Sequence, residues 1–102
     1  MNPIAFIDLE TTGLDPARHA ILEIGVVVAF PGTLAERDRF EVRVRPERIE
    51  DADPAALRLN GWSPDAWADA VPLDVALGQL APVLWGTRSE EHTSELQSRQ
   101  SI

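Results

Sequence analysis

FIDLETTGLDP, Phe6 to Pro16, is the stretch from which the rest of this sequence can be read outward. With Ile4 and Ala5 ahead of it, the apolar run Ile4 to Leu9 is dense in branched and aromatic residues and predicts a buried β-strand. Asp8 and Glu10 stand at i and i+2 at the end of that run. Side chains alternate along a strand, so both carboxylates share one face, with Cα atoms about 6.6 Å apart, while Ile7 and Leu9 face the core. Two carboxylates this close repel unless a cation stands between them, and hard oxygen donors suit Mg2+ or Mn2+. Thr11-Thr12-Gly13 and Asp15-Pro16 then punctuate a loop whose backbone and hydroxyl groups can meet a substrate, Gly13 permitting close approach. A bare Asp-x-Glu is more often a solvated strand end feeding a Thr-Gly turn, and on these residues alone that plainer reading leads.

Downstream, Ile21 to Phe30 (ILEIGVVVAF) predicts a second strand, with Gly25 marking a bulge or a close backbone approach. Pro31-Gly32-Thr33 is a turn. Arg37 to Val44 (RDRFEVRV) alternates, which predicts an antiparallel strand with Phe40, Val42 and Val44 toward the core. Arg39, Glu41, Arg43 and Arg45 then face water. Asp53 as N-cap and Pro54 at the first helical position predict a short helix to Leu59, stopped by Asn60-Gly61. Ser63-Pro64-Asp65 predicts a turn of helix through Trp67. Leu73, Leu77, Leu80 and Leu84, with Ala76 and Val83, form a stripe of period 3.6, so Pro72 to Leu84 is an amphipathic helix. Trp62, Trp67 and Trp85 read as core or loop anchors, and His19 as a surface loop residue.

The chain has 102 residues, 44% of them hydrophobic, with a net charge of -8 and no cysteine. These values fit a soluble globular protein and exclude a disulfide scaffold or a Cys-based zinc site. An apolar run as short as Ile21 to Phe30 cannot span a bilayer, and a broadly positive nucleic-acid-coating surface is excluded. A cytoplasmic protein with no membrane partner is the expectation. All nine cationic residues are Arg, all thirteen alanines precede Arg88, and four of the five serines follow it. Residues 88–98, RSEEHTSELQS, match the in-frame translation of a common sequencing-library adapter. The expected organisation is therefore a domain over residues 1–87 and a non-native tail over residues 88–102. Three strands and one long helix leave much of a sheet uncovered, which marks residues 1–87 as the first half of a larger α/β domain.

FIDLETTGLDP followed by ILEIGVV resembles the first block of the DEDD superfamily of 3′-5′ exonucleases, in its DnaQ-like branch. The resemblance covers about residues 4 to 87. It implies a ribonuclease H-like α/β fold, of which this chain has the N-terminal half: the three-stranded antiparallel start of the sheet, plus helices. The implied activity is hydrolysis of terminal phosphodiester bonds of a single-stranded nucleic acid 3′ end, with two divalent metals, Mg2+ or Mn2+, roughly 3.5–4 Å apart. Asp8 would bind both metals and Glu10 one of them. Thr11, Thr12, Gly13 and Leu14 would hold the terminal nucleotide, Leu14 against its base, and Asn60 would stand near the terminal sugar. A DNA polymerase is one candidate partner. Glu23, in its Ile-Leu-Glu-Ile-Gly context, lines the site or serves the fold.

The superfamily also needs an Asp from a second block and a His plus Asp from a third, and the chain lacks both blocks. His92 falls in the adapter-like tail, so the chain as it stands is expected to be inactive. Two other function classes remain open at this point. A non-catalytic nucleic-acid-binding module could keep the exonuclease-like fold. A Mg-dependent phosphotransferase of the haloacid dehalogenase type also opens on paired acids, but uses Asp-x-Asp and a later Lys, and this chain has no Lys.

Overall fold

The computed structural model describes residues 2–33 and 35–93. Three antiparallel strands come first: β1 (Ile4–Thr11), β2 (Ile21–Ala29) and β3 (Glu36–Arg43). Two helices follow, α1 (Pro54–Leu59) and α2 (Leu73–Leu84), and then β4 (Arg88–Thr93). The sheet order is β3-β2-β1-β4, with β4 parallel to β1, so β1 is an inner strand.

β1 and β2 form where the apolar runs predicted them, because branched and aromatic side chains fill a pleated, buried surface. Ala5, Ile24, Val26 and Val28 are buried on one sheet face, with Ile7, Leu9, Phe40 and Val42 packed around them. Ala76 and Leu80 of α2 close this core from above. Each large aliphatic side chain so buried contributes roughly 1.5–3 kcal/mol. Val44, the last of the β3 alternation, is buried and forms a bridge to Val71. α1 begins as its sequence predicts, the Asp53 carboxylate accepting the Ala55 N–H at 2.9 Å and Pro54 opening the first turn.

Several sequence expectations are revised. β4 is an addition to the three-stranded start. Its residues, RSEEHT, carry no apolar alternation, and a parallel ladder joins backbone groups, so side-chain periodicity could not announce it. Residues 94–102 of the adapter-like stretch lie outside the described residues. The Ser63 to Trp67 segment makes the single helical turn expected of it, with Ser63 Oγ accepting the Ala66 N–H and the Ser63 carbonyl accepting the Trp67 N–H, and runs on as turn to Asp69. Leu77 is 49% exposed, because Ala76 and Leu80 occupy the line of α2 that meets the sheet. Trp67 is a loop anchor, its indole N–H donating to the Leu22 carbonyl at 3.0 Å, whereas Trp85 is 83% exposed and anchors nothing in the core. Gly25 sits in a regular pair with Asp8. The β1–β2 irregularity falls instead between Glu10 and Thr11, and a Cβ at Gly25 would make only ordinary contact. Among the described residues no helix is long and apolar enough to cross a membrane.

Candidate active site

Asp8 and Glu10 stand on the sheet face opposite α2, at the C-terminal end of β1. Their neighbours Ile7 and Leu9 pack into the core, so the pleat alone directs both carboxylates outward. Asp8 is exposed and Glu10 half-buried. In register, Asp8 lies opposite Gly25 and Glu10 opposite Glu23. The side chain absent at Gly25 leaves open the floor of a shallow pocket of about 210 Å³, lined by Phe6, Asp8, Gly25, Val27, Arg39 and Glu41. Burial pushes the Glu10 carboxyl above its ordinary pKa, and the negative charges of Asp8 and Glu23 and a hydrogen bond with Asp8 push it the same way. The pair is therefore under electrostatic load, as acids on one face must be without a cation.

Glu23 belongs to a charged row across the three antiparallel strands, Glu10–Glu23–Arg43. Arg43 Nε lies 3.7 Å from Glu23 Oε1, its guanidinium sits 4.4 Å from the centre of the Trp67 ring, and it donates to the Ala66 carbonyl at 2.6 Å. Arg43 is thus no simple solvated side chain. It ties the 62–71 segment to the sheet and screens Glu23. Arg45 and Arg37 likewise reach backbone carbonyls, of Ala70 and Val83. No sequence signal announces these ties, since they join residues more than twenty positions apart.

The loop after Glu10 is held from several sides. Thr12 is 1% exposed: its N–H donates to the Ala20 carbonyl, its hydroxyl accepts the Ala20 N–H, and its carbonyl accepts the Asp53 N–H. Its side chain faces inward and serves the loop. Thr11 Oγ1 donates to the Gly13 carbonyl at 2.7 Å. Leu14, by contrast, is 49% exposed and presents an apolar surface to solvent. Asn60 comes from the end of α1 to this place, its side-chain amide donating to the Ala56 carbonyl at 3.0 Å and the Thr11 carbonyl at 3.4 Å. The structure thus gathers Asp8, Glu10, Thr11, Thr12, Gly13, Leu14 and Asn60 around one end of β1. Gly13 does make a close approach, but to the ring of His19, which is half-buried and not a free loop side chain.

Among the described residues no group of three or more His, Cys, Asp or Glu is placed to cage a metal ion. Two carboxylates on an open face still suit Mg2+ or Mn2+, which take one or two carboxylates and complete their shell with water and phosphate oxygens. The donor chemistry and the electrostatic load on Glu10 both fit such an ion.

Known proteins are similar to this chain in sequence and in fold. A family model described as exonuclease, of the RNase T type, matches residues 5–85. Protein NEN2 of Arabidopsis thaliana is 38% identical over 64 residues, 59% of this chain and 13% of that protein. A structure describing 3′-end specific recognition of a histone mRNA stem-loop by 3′-exonuclease superposes with a TM-score of 0.71 at 27% identity, covering 90% of this chain and 45% of the other. The nuclease domain of 3′hExo, described as a DEDDh family member bound to rAMP, gives 0.72 at 26% identity, covering 95% and 54%. The chain spans about half the length of these structures and far less of the plant protein.

Proposed function

The chain belongs to the exonuclease family, and from that premise we propose that it carries the metal-holding and nucleotide-holding part of a 3′-5′ exonuclease acting on single-stranded nucleic acid. The observation that carries the reading is the placement of Asp8 and Glu10, side by side on the open face of an inner strand and electrostatically loaded, within the matched residues. Asp8 and Glu10 would hold the divalent ions. Such ions supply a nucleophilic water at neutral pH and stabilise the charge of an in-line displacement at phosphorus. Leu14 would pack against the terminal base, with Thr11 beside it on the same loop. Asn60, through its bond to the Thr11 carbonyl, would hold that loop against α1, and Thr12 would anchor it from within. The relatives whose descriptions name a ligand have an mRNA stem-loop and rAMP. RNA is accordingly the substrate class proposed, in preference to a primer held by a polymerase.

The 102 residues contain no second and third block of the kind the superfamily uses, so this polypeptide binds metal and nucleotide without turning over. The test is calorimetric titration with Mn2+, then with AMP in its presence, alongside incubation with 5′-labelled single-stranded RNA and Mg2+. Mn2+ uptake that is lost in Asp8→Asn and Glu10→Gln, with no shortening of the RNA, is the expected result. Mn2+ uptake indifferent to both substitutions would sink the site assignment, and a ladder of shortened RNA would overturn the inactivity.

A further inference from the structure

We propose that His19 is a positioning residue for the nucleotide-holding loop. As the neutral Nε2–H tautomer, its imidazole is wedged against Gly13 and bonded to Asp15, and so sets the path of Thr11–Leu14 past the carboxylate pair. The proposal rests on the nucleotide-binding reading above and deepens it.

Three observations carry it. A Cβ built on Gly13 would lie less than 3.0 Å from the Cε1, Nδ1 and Cγ atoms of His19, so the ring occupies the space a side chain would need. Gly13 is not among the glycines with positive φ, which are Gly32, Gly61 and Gly86. Its backbone is one any residue adopts, so it is the ring, not the dihedral, that demands glycine here. His19 Nδ1 accepts the Asp15 N–H at 2.9 Å, which places the ring proton on Nε2.

The surrounding bonds show what the wedge does. The Asp15 carbonyl accepts the N–H of both Arg18 and His19, and the Asp15 carboxylate accepts the Ala17 N–H at 3.0 Å, which makes a compact turn presenting the ring inward. Paired bonds between Thr12 and Ala20 close the loop at its base. Gly13 and Leu14 lie between this base and the Asp15 turn, where the ring fills the loop from inside. Removal of the ring leaves the Thr12–Ala20 base in place and lets Leu14 wander from where it would meet a base. His19 is placed to touch the loop, so it acts through Thr11 and Leu14.

The experiment uses the 102-residue chain, its His19→Ala, His19→Asn and Gly13→Ala variants and the Gly13→Ala/His19→Ala double variant. Thermal melting should show Gly13→Ala lowering Tm in the His19 background and costing little in the His19→Ala background. Titration with AMP in the presence of Mn2+ should show about tenfold weaker uptake in His19→Ala, because a loop no longer preorganised has to be reordered on binding. Mn2+ uptake itself should stay unchanged, and His19→Asn, which keeps an acceptor near the Nδ1 position, should recover part of the AMP affinity. Nitrogen-15 shifts of the imidazole should report the Nε2–H tautomer. Equal AMP affinity in His19→Ala and the parent, an Nδ1–H ring, or a Gly13→Ala penalty that persists without the ring would each overturn the proposal while leaving the nucleotide reading intact. Failure of the parent chain itself to take up AMP would instead bring down the nucleotide reading, and this proposal with it.

Discussion

Glu10 shows how one residue can be at odds with its own fold. Its carboxyl has a raised pKa, chiefly from burial and then from the charges of Asp8 and Glu23, so the folded chain holds a proton there that the unfolded chain releases from 4.5 upward. The folded state then binds more protons than the unfolded one between 4.5 and the raised value, and stability falls as pH rises through that window. The prediction is that metal-free Glu10→Gln loses this decline relative to the parent and melts higher at neutral pH, while it loses Mn2+ uptake. Melting curves at several pH values, with and without Mn2+, check both arms. A parent whose melting temperature tracks that of Glu10→Gln at every pH would refute the load on Glu10. Much of this site could be read from the sequence, since alternation along a strand places Asp8 and Glu10 together and Ile7 and Leu9 away from them. The cross-strand partner was not legible as such. That Glu23 stands opposite Glu10 depends on the register of β1 against β2 and on an irregularity after Glu10, neither of which a one-dimensional pattern encodes.

At the scale of elements, α2 separates what periodicity can and cannot tell. Its helical span follows from the leucine spacing, but which line of the helix meets the sheet is settled by packing. Ala76 and Leu80 are buried and Leu77 is not. Leu80→Ala should therefore cost about 2–4 kcal/mol in chemical denaturation and Leu77→Ala under about 1 kcal/mol, a contrast that equal placement on the stripe would not produce. α1 was legible down to its cap, because Asp-Pro at a helix start acts locally. Asp53→Ala should cost roughly 0.5–2 kcal/mol by the same measurement, since the Ala55 N–H loses its acceptor. The 62–71 segment was legible only as a turn. Its anchoring depends on Trp67 reaching the Leu22 carbonyl and on Arg43 reaching Ala66 and the Trp67 ring, contacts made across more than twenty residues. Arg43→Gln should loosen it, seen as faster hydrogen exchange at the Trp67 indole with little change at α2.

For the molecule as a whole, a polypeptide of net charge -8 that is read as meeting a polyanion has to do so through cations. Without divalent metal, uptake of single-stranded RNA should be undetectable in a fluorescence anisotropy titration at low ionic strength, where repulsion is least screened. It should appear when Mn2+ is added. Metal-independent binding that weakens steeply with salt would instead point to direct contact between arginine side chains and phosphate. The composition break at residue 88 supports the proposal that residues 88–102 are adapter-derived, and the genomic coding sequence through Thr87 is the direct check. The ladder between β1 and β4 is no argument either way, because it joins main-chain groups and takes almost any sequence.

That ladder has one practical corollary. β1 and β4 run the same way, with Asp8 paired to His92 and Leu9 to Thr93, so the chain leaves β4 at the rim where the carboxylates stand, whereas it enters β1 at the opposite rim. A fluorophore or affinity handle joined ahead of Ile4 hangs clear of the chemistry. The same group joined directly after Thr93 crowds the doorway through which a nucleotide would have to come.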